Sequence, residues 1–322
     1  MGTVRSAALV RGTLLSMTNI QTTSAPTTRT INPDSLLPVS VIIPVRNEAE
    51  NLPRCLESLA CCREVYVVDS QSTDATVEIA RSFGATVVQF YYQGGWPKKR
   101  QWALDNLTLD TPWVLLLDAD EILTPELAQE IGVATRQSGF NGYWVPLRIF
   151  FLGRTLRHGG TSFRKLSLFR RGMGRFECRL QDQDGSMADM EIHEHVMVDG
   201  PTSELRNALL HRNVNSLSRY IEKHNQYSNW EAGVLFSEET SQIAEQRNVI
   251  QPNFWGSQAQ RRRWLRKKFF NLPGSPILFF FYKYFFRLGF LDGASGLIYC
   301  GFQATQFFHI KAKLYELRSR SG

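Results

Sequence analysis

Two aspartates one residue apart, Asp118 and Asp120, close the apolar run Trp113-Val114-Leu115-Leu116-Leu117. The run does not alternate, as expected of a strand covered on both faces of a parallel sheet. Its carboxyl end is where open α/β sheets place their ligands. Two carboxylates there suit a hard divalent cation that bridges to a substrate phosphate. The same residues also fit a solvated strand-to-helix turn, because Thr124-Pro125 caps a helix soon after. A short acidic pattern alone does not decide between the two.

The elements around this pattern supply two more such strand ends. Val39-Ser40-Val41-Ile42-Ile43-Pro44 reads as a strand that ends in Val45-Arg46-Asn47-Glu48, before a helix with Leu52, Cys55, Leu56 and Leu59 on one face. Glu64 to Val68 is a second strand, ending in Asp69, and Ser70-Gln71-Ser72-Thr73-Asp74 caps a helix through Ile79 and Phe83. Ala85 to Gln89 is a third strand. Strands alternating with helices predict a parallel, right-handed, doubly wound sheet, with all three strand ends opening on one edge. No Gly-x-Gly-x-x-Gly follows the first strand and there is no Walker lysine loop, which argues against a dinucleotide dehydrogenase or a P-loop nucleotidase. Bare carboxylates would repel a diphosphate, so an acidic crevice that holds one needs a metal.

Val41-Ile42-Ile43-Pro44-Val45-Arg46-Asn47-Glu48, Val67-Val68-Asp69-Ser70-Gln71-Ser72-Thr73-Asp74 and Leu117-Asp118-Ala119-Asp120 together resemble the three sugar-nucleotide motifs of family 2 glycosyltransferases. The chain is most similar there to the lipopolysaccharide-core β-1,4-glucosyltransferase type. The resemblance is strong over 38–130 and weaker through His211, the 216–236 helix and Gly289 to Gly293. It implies a nucleotide-sugar-binding, doubly wound, mostly parallel α/β sheet of the glycosyltransferase A type with a helical, amphipathic C-terminal extension. It also implies roles. Pro44, Arg46 and Glu48 would line the nucleoside pocket, and Asp69 would accept from the base, with a lean to uracil. Asp120 would bind Mg²⁺ or Mn²⁺, with Asp118 near the ribose or metal. Arg100 falls where relatives carry a phosphate-side lysine, and Lys99 beside it competes for that role. Lys98, Lys99 and Arg100 also fit a solvated basic helix start.

Residues 140–215 read as strands at Phe140–Phe151, Phe163–Arg170 and Glu191–Val198. In the last of these Glu194 shares the apolar face with Ile192 and Val196. A carboxylate there is either buried against a partner such as Arg164 or aimed into a cleft, where burial would raise its pKa toward the range of a useful base. In the resembling family a carboxylate late in the domain is the usual acceptor base, which assigns that role to Glu194. His193 and His195 lack further zinc ligands at a recognised spacing. The 216–236 region has helical spacing, so core packing is the default for its aromatics, with Lys223 and His224 able to reach a phosphate or acceptor.

At 322 residues the chain can bury a sizeable core. Its Cys55, Cys61, Cys62, Cys178 and Cys300 show no metal spacing, and their odd number favours reduced thiols. Residues 1–37 are rich in Thr, Ser and Pro and read as a disordered leader, with Met17 a second candidate start. Arg11 interrupts the only apolar patch there, against a secretory signal. Charge is segregated: residues 261–322 hold 12 Lys/Arg against two Asp/Glu, while the remainder holds 25 against 28. Arg261-Arg262-Arg263-Trp264-Leu265-Arg266-Lys267-Lys268 is followed by an aromatic run through Phe286, in which Lys283 and Arg287 are expected to share a helix face. That pattern suits a helix lying on an anionic membrane surface. A transmembrane hairpin and a soluble helical pair compete with it, and no nucleic-acid recognition motif supports the arginines as a nucleic-acid site.

The expected organisation is a leader (1–37), a catalytic domain (38–215), a helical region (216–260) and a basic, aromatic, membrane-associating tail (261–322). The expected activity is inverting, metal-dependent transfer of a hexose from a nucleotide sugar to a glycan or lipid-linked acceptor, at the cytoplasmic face of the inner membrane. A polyprenyl-phosphate glycosyltransferase, a nucleotidyltransferase and a non-catalytic membrane scaffold are the alternatives.

Overall fold

The computed structural model describes residues 36–178, 195–212, 216–240, 252–256, 260–261, 264–265, 268, 270 and 272–321. Residues 1–35 of the leader, His193 and Glu194, and Arg262, Arg263, Arg266 and Lys267 lie outside the described residues, while Leu37, expected in the leader, opens the first strand. All described residues fall in one unit, Pro33–Gly322.

The first half alternates as expected: β1 (Leu37–Val45), α1 (Leu52–Ser58), β2 (Cys62–Asp69), α2 (Thr76–Ser82), β3 (Thr86–Gln89), α3 (Lys99–Asn106) and β4 (Trp113–Leu116). These strands pair in parallel in the order β3-β2-β1-β4. Successive residues of β1 and β4 enter opposite cores, which is why neither sequence alternates. Val41, Ile43, Trp113 and Leu115 pack with Leu52, Leu56 and Leu59. Ile42, Val114 and Leu116 pack on the other face with Phe90 and Ala103. Full burial of each such side chain contributes about 1.5–3 kcal/mol. β5 (Glu121–Ile122) leads into α4 (Pro125–Ala134), whose N-cap Thr124 accepts from the Leu127 amide and whose first residue is proline.

The second half of the sheet is mixed. β6 (Gly142–Phe151) and β8 (Phe163–Arg170) are antiparallel to each other, and β8 is antiparallel to β4. β12 (Leu209–Arg212) runs parallel to β6 and antiparallel to β5. β6 turns into β7 (Arg154–Thr155) through Leu152 and Gly153, with φ values of 47° and 83°. This positive pair is what a tight hairpin turn demands, and glycine satisfies it more easily than leucine does. β9 (Gly174–Phe176) and β10 (Val196–Val198) form a separate ribbon, and β11 (Thr202–Glu204) flanks β6. Of the strand expected over 191–198, the described part is β10.

The C-terminal region packs on the body. α5 (Leu217–Thr240), α6 (Ser275–Phe281) and the 29-residue α7 (Gly293–Ser321) meet around Ala232, Phe270, Phe307, Ile310 and Leu314. Buried Asp292 fastens α7's start to the sheet domain by accepting from the Arg157 and His158 amides at 3.1 and 2.8 Å. Among the described residues no helix is long and apolar enough to cross a membrane. Lys283 and Arg287 both lie against Gly160, but the expectation that both cations face outward is corrected for Lys283, which is buried. The turn Tyr282–Phe286 is a π-helix, with the Arg287 amide donating to the Tyr282 carbonyl five residues back. Four-residue neighbours still align through it, since Phe280 stacks on Tyr284 and Phe281 on Phe285 at 5.4 and 5.7 Å between ring centroids. Lys283 points inward, between the rings of Phe279 and Tyr299 and 3.3 Å from Gln303 Oε1. Burial pushes its pKa down to about 8.

Candidate active site

The three strand ends do converge. The loop after β1 is zipped to the loop after β2 by short polar side chains. The Asn47 amide donates to Ser72 Oγ, the Glu48 amide to Thr76 Oγ1, and the Thr73 amide to Asn47 Oδ1, all at 2.8–2.9 Å. Partial burial opposes it, but hydrogen bonds from Thr76 and the Ala49 amide hold the Asp74 carboxyl below the usual range. The Ser-Thr-Asp stretch therefore positions the Arg46-Asn47-Glu48 loop. Pro44 is half-buried at the end of β1, and Arg46 is exposed. Asp69 is wholly buried, and accepts from the Ser72 amide at 3.0 Å, Ser72 Oγ at 2.5 Å and Gln89 Nε2 at 2.9 Å. A carboxylate has about four acceptor positions, so one more donor can still be accommodated.

Asp118 and Asp120, although adjacent in sequence, sit in different environments. Asp118 is bound inward. Arg100 Nη2 pairs with its Oδ1, and Lys165 Nζ from β8 lies 3.1 Å from its Oδ2. Lys165 also reaches Glu121, 1% exposed, at 2.9 Å, and the Asp118 amide donates to the same Glu121 carboxylate. Burial opposes ionisation of Asp118, but the Lys165 and Arg100 charges outweigh it and hold its pKa well below the usual carboxylate range. Burial pushes Glu121 the other way, with Lys165 resisting and Asp118 adding to the rise. Two cations thus neutralise two carboxylates in a closed network. Arg100 is spent on Asp118 in this arrangement, and Lys99 donates to the Val45 carbonyl at 2.8 Å. Lys98, wholly buried, lies over the Trp230 ring.

Asp120 faces a cavity of about 400 Å³. Its backbone carbonyl takes the Arg212 amide, fixing the loop to β12, and His211 Nδ1 lies 3.4 Å from its Oδ1. That buried nitrogen makes no hydrogen bond among the described residues. A buried, unsatisfied imidazole nitrogen beside a carboxylate is the donor pair a divalent cation would occupy. No cluster of three or more His, Cys, Asp or Glu able to hold a metal occurs among the described residues. A carboxylate and an imidazole completed by phosphate oxygens and water suit the softer Mn²⁺ better than Mg²⁺, which prefers oxygen donors throughout, so these residues fit the expected Mn²⁺.

α5 covers the cavity and brings its charge. Arg219 donates to the Asn47 carbonyl at 2.8 Å, which ties α5 to the β1 loop. Lys223 lines the cavity, and although burial opposes it, Tyr227 and the carboxylates of Asp120, Glu48 and Asp118 raise its pKa above the ordinary lysine value. Burial raises Glu48, against the pull of Lys223 and a 2.8 Å hydrogen bond from Asn51. The far wall is aromatic: Phe151 meets Tyr220 and Tyr299 at 5.7 and 5.6 Å between ring centroids, and His224 stacks on Tyr220 at 3.8 Å.

Pro44, Arg46, Glu48, Asp69, Arg100, Asp118 and Asp120 thus gather on one edge of the sheet, while Glu194 lies outside the described residues. Sequence reasoning missed Glu121, Lys165 and the pairing of His211 with Asp120. A lone lysine within the apolar strand Phe163-Arg164-Lys165-Leu166-Ser167-Leu168 was the available signal for Lys165. It also missed Glu177, wholly buried, which accepts from the His195 amide at 3.1 Å.

Residues 40–195 match the family model described as glycosyl transferase family 2. The lipopolysaccharide core biosynthesis glycosyltransferase LpsC of Rhizobium meliloti (strain 1021) is 28% identical over 289 residues, 87% of this chain and 93% of that protein. An uncharacterized glycosyltransferase of Rickettsia bellii (strain RML369-C) is 36% identical over 115 residues, 34% of this chain and 38% of its own length. Among solved structures, S. aureus TarS 1-349 aligns over 87% of this chain and 91% of that one, at 16% identity and a TM-score of 0.39.

Proposed function

Because the chain carries a glycosyl transferase family 2 domain and is a glycosyltransferase, we propose that it transfers a hexose, with inversion, from a UDP-linked donor to a membrane-displayed glycan or lipid-linked acceptor. The similarity to LpsC favours lipopolysaccharide core synthesis, which would put the enzyme at the cytoplasmic face of the inner membrane. The observation that carries the proposal is the Asp120–His211 pair on the wall of a cavity flanked by Lys223 and Arg219.

Asp120 and His211 would hold Mg²⁺ or Mn²⁺. When bound, that ion supplies positive charge to the departing diphosphate. Lys223 adds a fixed cation on the same side, where low dielectric makes it count for more than in water. Glu48 and Asp69 at the ends of β1 and β2 would orient the nucleoside, Asp69 by accepting from the base. Asp118 would keep Arg100 and Lys165 in place beside the diphosphate. The Phe151–Tyr220–Tyr299 wall offers an apolar surface for a sugar ring. Glu194 is proposed, on sequence grounds, as the base that takes the acceptor's proton. Holding donor and acceptor in line would supply much of the remaining acceleration.

A screen of nucleotide sugars for slow hydrolysis needs no acceptor. UDP-hexose cleavage that requires Mg²⁺ or Mn²⁺, stops with chelator and releases a nucleoside diphosphate is the expected result. Release of pyrophosphate would point to a nucleotidyltransferase instead.

A further inference from the structure

The surface formed by α6 and the turn that follows it is strongly apolar and uncovered. Ile277, Phe281 and Phe285 recur at four-residue intervals, and Phe286, Phe290 and Leu291 continue the patch. Ile277 is 64% and Phe286 80% exposed. Scattered exposed apolar residues are ordinary, but a contiguous patch of large ones marks an interaction surface. The charged residues of 277–298 are Lys283, Arg287 and Asp292, and the first and last are buried, which leaves Arg287 as the exposed charge of the patch.

We propose that this face inserts into the interfacial layer of an anionic bilayer, and that in doing so it sets the mouth of the cavity at the lipid head groups. The choice of a bilayer over a second copy of the chain follows from charge. Residues 261–322 carry 12 basic and two acidic residues, so pairing two such regions would bring like charges together, whereas anionic head groups match them. No described helix can span a membrane, which fits a helix that lies in the interface. The tie to the cavity is structural. The Gly159 amide donates to the Arg287 carbonyl at 2.8 Å, Arg154 to the Asp292 carbonyl at 2.9 Å, and Ser295 Oγ to the Leu152 carbonyl at 3.4 Å. Leu152, 45% exposed, also lines the cavity. The inserted face and the β6–β7 turn at the cavity mouth are therefore braced together. The second half of this proposal rests on the glycosyl-transfer reading, whereas the first does not.

The test is flotation of the full chain with vesicles of phosphatidylglycerol and phosphatidylcholine in equal parts, paired with amide hydrogen exchange on the same vesicles. Wild type should float. Phe285→Ser and Phe286→Ser should each weaken partitioning about ten-fold, as loss of one inserted aromatic requires, while hydrolysis of soluble nucleotide sugar is retained. Exchange should slow over both 277–298 and 150–154. Serine variants that float like wild type, with binding abolished by salt alone, would overturn insertion in favour of surface charge. A wild type that ignores vesicles and protects 277–298 by dimerising would overturn it in favour of a second copy. Protection of 277–298 without 150–154 would overturn the placement of the mouth. Vesicle binding by a protein that cleaves no nucleotide sugar would sustain the docking face and count against the glycosyl-transfer reading.

Discussion

Lys165→Met removes the cation that Asp118 and Glu121 share, at 3.1 and 2.9 Å, while leaving similar volume in the strand. Breaking a buried ion pair by deleting one partner costs about 3–5 kcal/mol. Here a ceiling is set by Glu121, which is 1% exposed and can escape by taking a proton. Neutralising it at pH 7 against an ordinary value of 4.5 costs about 3.4 kcal/mol, at roughly 1.36 kcal/mol per pH unit. Arg100 still compensates Asp118, and burial already raises Glu121 in wild type, so the expected loss at pH 7 lies below that ceiling. The deficit should shrink as pH falls from 7, because protonation of Glu121 becomes easier in the variant, until wild-type Glu121, whose own pKa burial already raises, protonates as well. In wild type the sign differs for Asp118. Its folded pKa is depressed, so its stabilising contribution is complete above the unfolded carboxylate value and is lost only as pH falls through the folded one. Urea unfolding of both proteins at pH 7 and pH 5 reads these differences directly. A variant as stable as wild type at pH 7, or a deficit that does not change with pH, would refute the closed-network account.

Asp69→Asn should raise KM for the donor about ten-fold or more with kcat little changed, since a hydrogen bond to a charged acceptor is worth about 1.5–3 kcal/mol; a fall in kcat at constant KM would move Asp69 to the reacting centre. Lys223→Met should weaken UDP binding by about ten-fold, and an unchanged Kd would leave Lys223 only a counter-ion to Glu48 and Asp120. Glu194→Gln should abolish transfer to a hydroxyl acceptor while sparing donor hydrolysis; full transfer activity would favour an acceptor that is already anionic, as in the polyprenyl-phosphate alternative.

The parallel half of the sheet was legible because β1, β2 and β4 are buried on both faces and their acidic ends are local patterns. The mixed half was not. The orientation of β6 and β8 is set by which strand edges meet, and nothing within Gly142–Phe151 or Phe163–Arg170 encodes it. The motif residues were legible as a set, but their division of labour was not. Asp118 and Asp120 look equivalent in sequence. Only partners 18 to 47 residues away from Asp118, Arg100 and Lys165, turn it inward, and His211, on a distant strand, marks Asp120 as the outward carboxylate. Lys283 was misplaced because Tyr299 and Gln303 of α7, which cover it, lie too far along the chain for a local pattern to reveal.

The central claim is that Asp120 and His211 together hold the ion through which a nucleoside diphosphate binds. Calorimetric titration of UDP into the full chain, with Mn²⁺ or with chelator, tests it without needing the sugar or the acceptor. Wild type should bind UDP tightly only with the metal. Asp120→Asn and His211→Ala should each lose that metal-dependent increment while keeping wild-type thermal stability within a few degrees. Equal UDP affinity with and without metal, or full metal dependence in both variants, would contradict the assignment.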